Sequence, residues 1–459
     1  MNTWTERRRQ PCFAPWAIVI PILAVGCAPK DDGTTKARIA SLESKDWQSR
    51  VDKVDVLAEA QSLQTLALIR LALRDSHPRV REAAVKALVR RKAQTSVPDF
   101  VEAVKDPDEG VRVAAVEALQ QFTGEQAVSL VLLRLGSGSE REREAARAGL
   151  AAQLRRSAPP VRQAALGRLV IMVKAERPDA QGDAIKVLAQ VGPDAVEPLL
   201  DALAAARPGS EGQWMERIET LLGRMGRAAV QPLVAALLQA SEKEARASRA
   251  ARVLVRIGAE SVPALLQTLD GSKQQSLEAA ELAEEALVSI GQAAAPAVAA
   301  LLSDPADHRR LAAVELLQRL RSPAAVPALL ALLEKESSRV IRLAVVRALG
   351  NAGDQQAVAP VLAALRKDSL GRGRLDAQQW SAYSEALAAL RAPAKDLVPA
   401  LGDPRPQVRL VAAQVAARLR LGEAARALPA LLKDKEVDVL GAAATAAGDL
   451  GVQGAAPAL

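Results

Sequence analysis

Between Asp75 and Leu119 the chain repeats one phrase. Asp75-Ser-His-Pro-Arg-Val-Arg81-Glu-Ala-Ala-Val-Lys-Ala-Leu88 returns as Asp106-Pro-Asp-Glu-Gly-Val-Arg112-Val-Ala-Ala-Val-Glu-Ala-Leu119, every anchor displaced by 31 residues. The arginine phase extends back to Arg50 and forward to Arg143, and reappears at Arg310, Arg342 and Arg409. A second marker, a proline in a short apolar run, recurs at Pro198, Pro232, Pro263, Pro296, Pro327, Pro360, Pro399 and Pro429, at intervals of 30 to 39 residues. A period of this length leaves room for one supersecondary unit per repeat. Such a unit cannot bury its apolar face alone, so the units must stack.

Each unit reads as two helices. The first is short, as in Ser261-Val-Pro-Ala-Leu-Leu-Gln-Thr-Leu269, with its proline early enough that the missing N–H costs little. A turn of Asp, Pro or Ser follows and is expected to cap the second helix. That second helix places Val111, Ala114, Ala115, Ala118 and Leu119 at helical spacing on one face. Glycines at 192, 258, 291, 350 and 422 are expected to close second helices in the left-handed conformation. No alternating strand pattern competes. Apolar residues make up 49% of the 459-residue chain while aromatics reach only 2%, so the core is aliphatic and alanine-rich. Such a core suits closely packed helices better than a β-sandwich or barrel, and 25% charged residues with so much apolar content excludes a disordered chain.

The early proline, the Asp-Pro turn and the Val-Arg-x-x-Ala phrase together resemble HEAT repeats, in particular the HEAT-like repeats named after phycobilisome lyases. The resemblance covers residues 36–450 and implies an all-α fold, a right-handed α-α superhelix of the HEAT/armadillo type with about thirteen helix pairs. It is nearly silent on activity, because the same solenoid serves many functions.

Ahead of the array, Arg7, Arg8 and Arg9 precede an apolar run from Phe13 to Gly26. At 14 residues that run suits a signal-peptide core and falls short of the roughly 20 needed to span a bilayer. It ends in Leu23-Ala24-Val25-Gly26-Cys27, which resembles the bacterial lipobox. The resemblance implies a signal peptide over 1–26, an acylated Cys27 as mature N-terminus and a polar tether over 27–35. An uncleaved short anchor or a fortuitous cysteine is the other reading. Ala28 after the cysteine, rather than Asp, favours the outer over the inner membrane. The expectation is a lipoprotein of the bacterial cell envelope, membrane-bound through its N-terminal lipid and facing the periplasm. The formal charge of +8 favours anionic surfaces, but that location demotes nucleic acid as a partner. Residues 451–459 repeat the opening of a first helix and are expected to form a partial terminal helix.

Enzymatic chemistry finds little material. The only cysteines are Cys12 and Cys27, so once the leader is gone no disulfide or redox pair remains. The only histidines, His77 and His308, fall in turns. Deoxyhypusine hydroxylase resembles this architecture and binds iron through repeated His-Glu pairs, which are absent here. Phycobilin lyases, the other enzymatic relatives, act on the cytoplasmic side. No phosphate loop, zinc-binding Cys spacing or nucleophile elbow occurs. No cofactor, metal or small-molecule substrate is expected. The expected function is a scaffold for protein or peptide partners, with a degenerate enzyme resembling either relative as the alternative.

Two sets of residues are candidates for special roles. Asp75/Arg81, Asp106/Arg112, Asp304/Arg310 and Asp403/Arg409 recur at a spacing of six. They read either as a basic ladder gripping an anion or as a structural ladder in which Asp caps the second helix and Arg bridges to the neighbouring repeat. The HEAT resemblance implies the second. The other set is aromatic. Trp214, and the pair Trp380 and Tyr383, each follow an irregular turn and open a second helix, the helix that lines the concave face in HEAT solenoids. They are candidate partner-binding anchors, with filling of the widened turn as the alternative.

Overall fold

The apolar stripes of the repeats pair helix against helix, and in the computed structural model every regular element among the described residues is helical. The structure describes residues 44–60, 62–91, 96–175, 177–206, 212–269, 277–370 and 376–452. The leader, Cys27, the tether and most of the 451–459 segment lie outside them. Two compact units are present, one up to Ala118 and one from Leu119 onward.

The first unit begins with the helix Trp47–Glu59, followed by Leu63–Ala72 paired with Pro78–Arg90, and then Val97–Ala103 leading into Glu109–Leu119. In the second unit the pairs follow in chain order, from Glu125–Ser137 with Glu140–Arg156 to Leu428–Leu431 with Val437–Asp449. Within that unit second helices pack on second helices, as in Asp307–Leu320 on Arg339–Ala352 and Arg339–Ala352 on Ala377–Ala389. First helices pack likewise on first helices, as Val326–Lys335 does on Val358–Asp368. This is the HEAT/armadillo solenoid arrangement, all-α and stacked repeat on repeat.

The repeated phrase buries the same atoms each time. Val80, Ala84 and Leu88 are fully buried, and Val111, Ala115 and Leu119 match them. Small residues at the crossing faces let helix axes approach closely. At Gly350 an added Cβ would lie 2.8 Å from the Ala386 main chain. Gly350 is therefore a packing glycine inside Arg339–Ala352, not the helix-closing residue expected; Gly353 takes that position with φ 75°. Gly192, Gly258 and Gly291 do have positive φ, but Gly422 opens a 3-10 turn and Arg420 carries the left-handed conformation there.

Two further expectations need correction. Pro232 and Pro399 sit inside their first helices rather than at the start. Several first helices are instead led in by a 3-10 turn, such as Pro193–Ala195, Gly258–Ser261 and Pro323–Ala325. Among the described residues no single helix is long and apolar enough to cross a membrane.

Candidate functional site

The Asp/Arg pairs spaced by six do not join carboxylate to guanidinium within one repeat. Arg81 donates from Nη1 to the Asp75 main-chain carbonyl at 2.9 Å, and from Nε and Nη2 to both carboxylate oxygens of Asp106, each at 2.7 Å. One guanidinium thus ties the turn of its own repeat to the turn of the next. Arg50 reaches Asp75 in the same bidentate way at 2.8 and 2.9 Å, and Arg409 reaches Asp434 at 2.7 and 2.8 Å. Arg310 finds Glu336 at 2.9 Å and Arg342 finds Asp368 at 2.9 Å. The forward spacing of 25 or 26 residues is the repeat length less six, so it was present in the sequence but hidden behind the more obvious six-residue phrase.

The carboxylates do not cap the helices directly either. Asp75 accepts the N–H of His77 at 2.8 Å, Asp106 that of Asp108 at 2.9 Å and Asp403 that of Arg405 at 3.1 Å. Each acid therefore closes the turn two residues ahead of its N–H partner. In the first of these turns His77 is the N-cap, its ring stacked on Trp47 at 4.4 Å.

Two of the named aspartates lack the incoming arginine. Ala279 stands 25 residues before Asp304, which is taken instead by Arg309 at 2.9 Å. Asp403 is held by Arg366 of a first helix at 2.9 Å and by Arg405 at 3.0 Å. Arg112 donates to the carbonyls of Asp106 and Pro107 at 2.8 and 2.9 Å.

These contacts decide the protonation of the acids. Burial pushes the Asp75 carboxyl up, but the Arg50 guanidinium and the His77 N–H together outweigh it and hold it below its ordinary value. Asp106 follows the same balance, with Arg81 as the cation, and Glu336 does so with Arg310. At Asp434 the Arg409 hydrogen bond is itself the largest influence and lowers the carboxyl. Groups depressed on folding stabilise the native state above their unfolded pKa and lose that contribution as pH falls through the folded value. The array is expected to lose resistance to urea progressively below about pH 5, where unfolded carboxylates begin to protonate. Circular dichroism in urea at neutral and acid pH measures this, and an unchanged midpoint would contradict the ladder's energetic role.

Of the aromatic candidates, Tyr383 cannot meet a partner. It is fully buried, and its hydroxyl donates to Asp368 at 2.6 Å, beside Arg342 on the same carboxylate. Burial first, and then the hydrogen bond to Asp368, push the phenol far above its usual range, so it stays a neutral donor. Trp380 and Trp214 are half-buried. Trp214 opens the helix Gln213–Met225 with the Lys174 ammonium 4.6 Å over its ring.

What faces solvent is a stripe along the second helices at a spacing of three and four. It reads Glu216, Thr220, Arg224 on one helix, Ser248, Arg252, Arg256 on the next and Glu278, Glu281, Glu285 on the one after. The Asp–Arg clamps elsewhere in the chain repeat their chemistry, whereas this stripe is mixed on its first helix, basic on the second and acidic on the third. Among the described residues no group of three or more His, Cys, Asp or Glu is placed to hold a metal ion.

Stacked helix pairs tied by a recurrent Asp–Arg clamp make an α-solenoid of the HEAT/armadillo type. The HEAT-repeat family model matches residues 65–151 and 294–380, so the chain carries HEAT repeats. No curated protein matches it. Among solved structures the chain is similar to importin beta, at 14% identity and TM-score 0.35 over 91% of this chain and 67% of that one. It is also similar to the karyopherin Kap121p bound to the SUMO protease Ulp1p, at 16% identity and TM-score 0.30 over 92% of this chain and 56% of that one. A third similarity is to Kap121p bound to Nup53p, at 15% identity and TM-score 0.29. The chain spans about half the length of the Kap121p chains.

Proposed function

We propose that the chain is a lipid-anchored scaffold of the bacterial cell envelope, facing the periplasm and held at the outer membrane, that binds protein or peptide partners along the exposed stripe of its second helices. The observation that carries the binding reading is the contrast between a half-buried ladder that repeats and an exposed stripe that does not. A stripe needed only for solubility would have no reason to run Arg224, Arg252 and Arg256 against Glu278, Glu281 and Glu285 on consecutive second helices. The repeats belong, on this reading, to the phycobilisome-lyase type without the enzyme's chemistry, and nucleic acid is not a partner.

The anchor reading is supported by the order of Arg7–Arg9, the apolar run to Gly26 and Cys27. A single acyl chain binds membranes only marginally, so firm attachment depends on the multiple chains a lipoprotein cysteine carries. Cys27→Ser is expected to leave the protein soluble or unprocessed; undiminished retention in high salt would show that something else holds it. Capture of envelope proteins by the acylated chain, lost on charge reversal along the stripe, tests the scaffold role. A stripe-reversed chain that captures the same proteins as the native one would refute it.

A further inference from the structure

The stripe contains one place where apolar surface and unspent positive charge coincide. The second helices Pro178–Val191 and Gln213–Met225 pack side by side and leave a cavity of about 390 Å³ between them. Ile185, Ala189, Leu221 and Met225 form its apolar floor, and Lys186, Arg217 and Arg224 stand around it. That volume is at the small end of ligand pockets, which run from ~300 to ~1,000 Å³.

The charge there is only partly neutralised by its neighbours. Glu216 is taken bidentately by Arg256 at 2.7 and 3.1 Å. Glu219 is buried and lies 3.5 to 3.7 Å from Arg249, Arg252 and Arg256, one carboxylate for three guanidiniums. Arg217 donates to the neutral amides of Gln181 and Gln213, and Lys186 comes no nearer to Asp183 than 3.9 Å. Arg224 is exposed and makes no ion pair among the described residues. Arg252, on the next second helix Glu244–Ile257, is also largely exposed. The basic face stops at Leu277–Ile290, whose Glu278, Glu281 and Glu285 present the opposite sign.

We infer that this face is a docking site for an extended acidic peptide segment that seats one apolar side chain in the Ile185/Leu221/Met225 pocket and places carboxylates on Lys186, Arg224 and Arg252. The inference rests on the protein-binding reading above and names the chemistry of the partner. A peptide fits better than a fatty acid because the cations come from three successive helices, whereas an acyl chain brings a single charged group. Packed helices lie ~8–10 Å apart, and an extended chain advances ~3.3 Å per residue. Acidic residues at every third position therefore fall on consecutive helices.

The test uses the full chain and a fluorescent peptide with a central leucine and a glutamate at every third position, read by anisotropy at low and high salt. Binding is expected, weakened about tenfold or more by Arg224→Glu with Arg252→Glu, since reversed charges oppose the segment directly. Ala189→Trp, at an exposed position that fills the pocket without touching the core, is expected to weaken it similarly. Replacing the peptide's leucine by serine, or moving its glutamates to one end, should do the same, while Arg418→Glu on a distant second helix should change nothing. Equal binding by the native chain and the Arg224/Arg252 reversal would overturn the site. So would uptake of oleate together with no binding of the peptide. Undiminished capture of envelope proteins by the Arg224/Arg252 double reversal, when reversal of the remaining stripe charges abolishes capture, would leave the scaffold reading standing and remove only this site.

Discussion

Replacing Asp368 by alanine is expected to cost about 3–5 kcal/mol, the range found when one partner of a buried ion pair is removed. Arg342 is 7% exposed and Asp368 2%, so the guanidinium left behind has neither a counter-charge nor free access to water. The same carboxylate accepts the Tyr383 hydroxyl, which would also be stranded. Tyr383→Phe removes only a neutral donor to a charged acceptor, and its expected cost is smaller, about 1.5–3 kcal/mol. A combined Arg342→Met, Asp368→Leu, Tyr383→Phe variant is expected to recover much of the loss, because an apolar set of similar size carries no desolvation cost. Urea unfolding ranks the variants. Hydrogen exchange locates the damage, which nearest-neighbour coupling should confine to helices around 339–389. A loss below ~1 kcal/mol for Asp368→Ala would show that the cluster is not sealed from water.

Gly350→Ala and Gly167→Ala are expected to act in opposite directions. Both glycines lie inside helices, where alanine is intrinsically better by about 0.5–1 kcal/mol. At Gly167 an added Cβ meets nothing within 4 Å, so that preference should appear as a gain in stability. At Gly350 the Cβ would stand 2.8 Å from Ala386 Cα and 3.0 Å from its Cβ, and neither can swing away. The helices Arg339–Ala352 and Ala377–Ala389 would have to separate, and overpacking of this kind costs about 1–3 kcal/mol. Thermal melts of the two variants decide the matter. A stabilised Gly350→Ala would mean that the helices slide apart freely, against the packing that holds the Arg342–Asp368–Tyr383 cluster together.

The ladder shows how much of the tertiary arrangement a repeat sequence discloses. The residues at Asp75, Arg81, Asp106 and Arg112 stood out because the phrase repeats, and the expected bridge from Arg to the neighbouring repeat is present, whereas the aspartate closes its turn rather than capping the helix. The side chain of Arg81 reaches the Asp75 carbonyl on its own turn and the Asp106 carboxylate on the following one. Only the stacking distance between repeats makes that second partner reachable. Where the phrase is broken, at Asp304 and Asp403, local arginines substitute, and the sequence pattern offers no way to choose Arg309 or Arg366 in advance. Tyr383 was legible as unusual, and of its two readings, partner anchor or filler of the widened turn, the structure gives the buried one. An aromatic in a chain with so few reads as an anchor until the neighbouring Arg342–Asp368 pair turns out to need its hydroxyl.

By itself the sequence determined the repeat length, the two-helix unit and the aliphatic core, because helical spacing and a 31-residue period are local properties of the chain. Glu216, Arg224, Arg252 and Glu281 were equally visible, but as scattered charges. Their grouping into a basic face beside an acidic one, with an apolar pocket under Arg224, depends on which helices become neighbours and which rotational face each turns outward. Those are set by packing between repeats, where a Gly350 or an Ala386 fixes how closely two axes lie, and no single repeat contains that information.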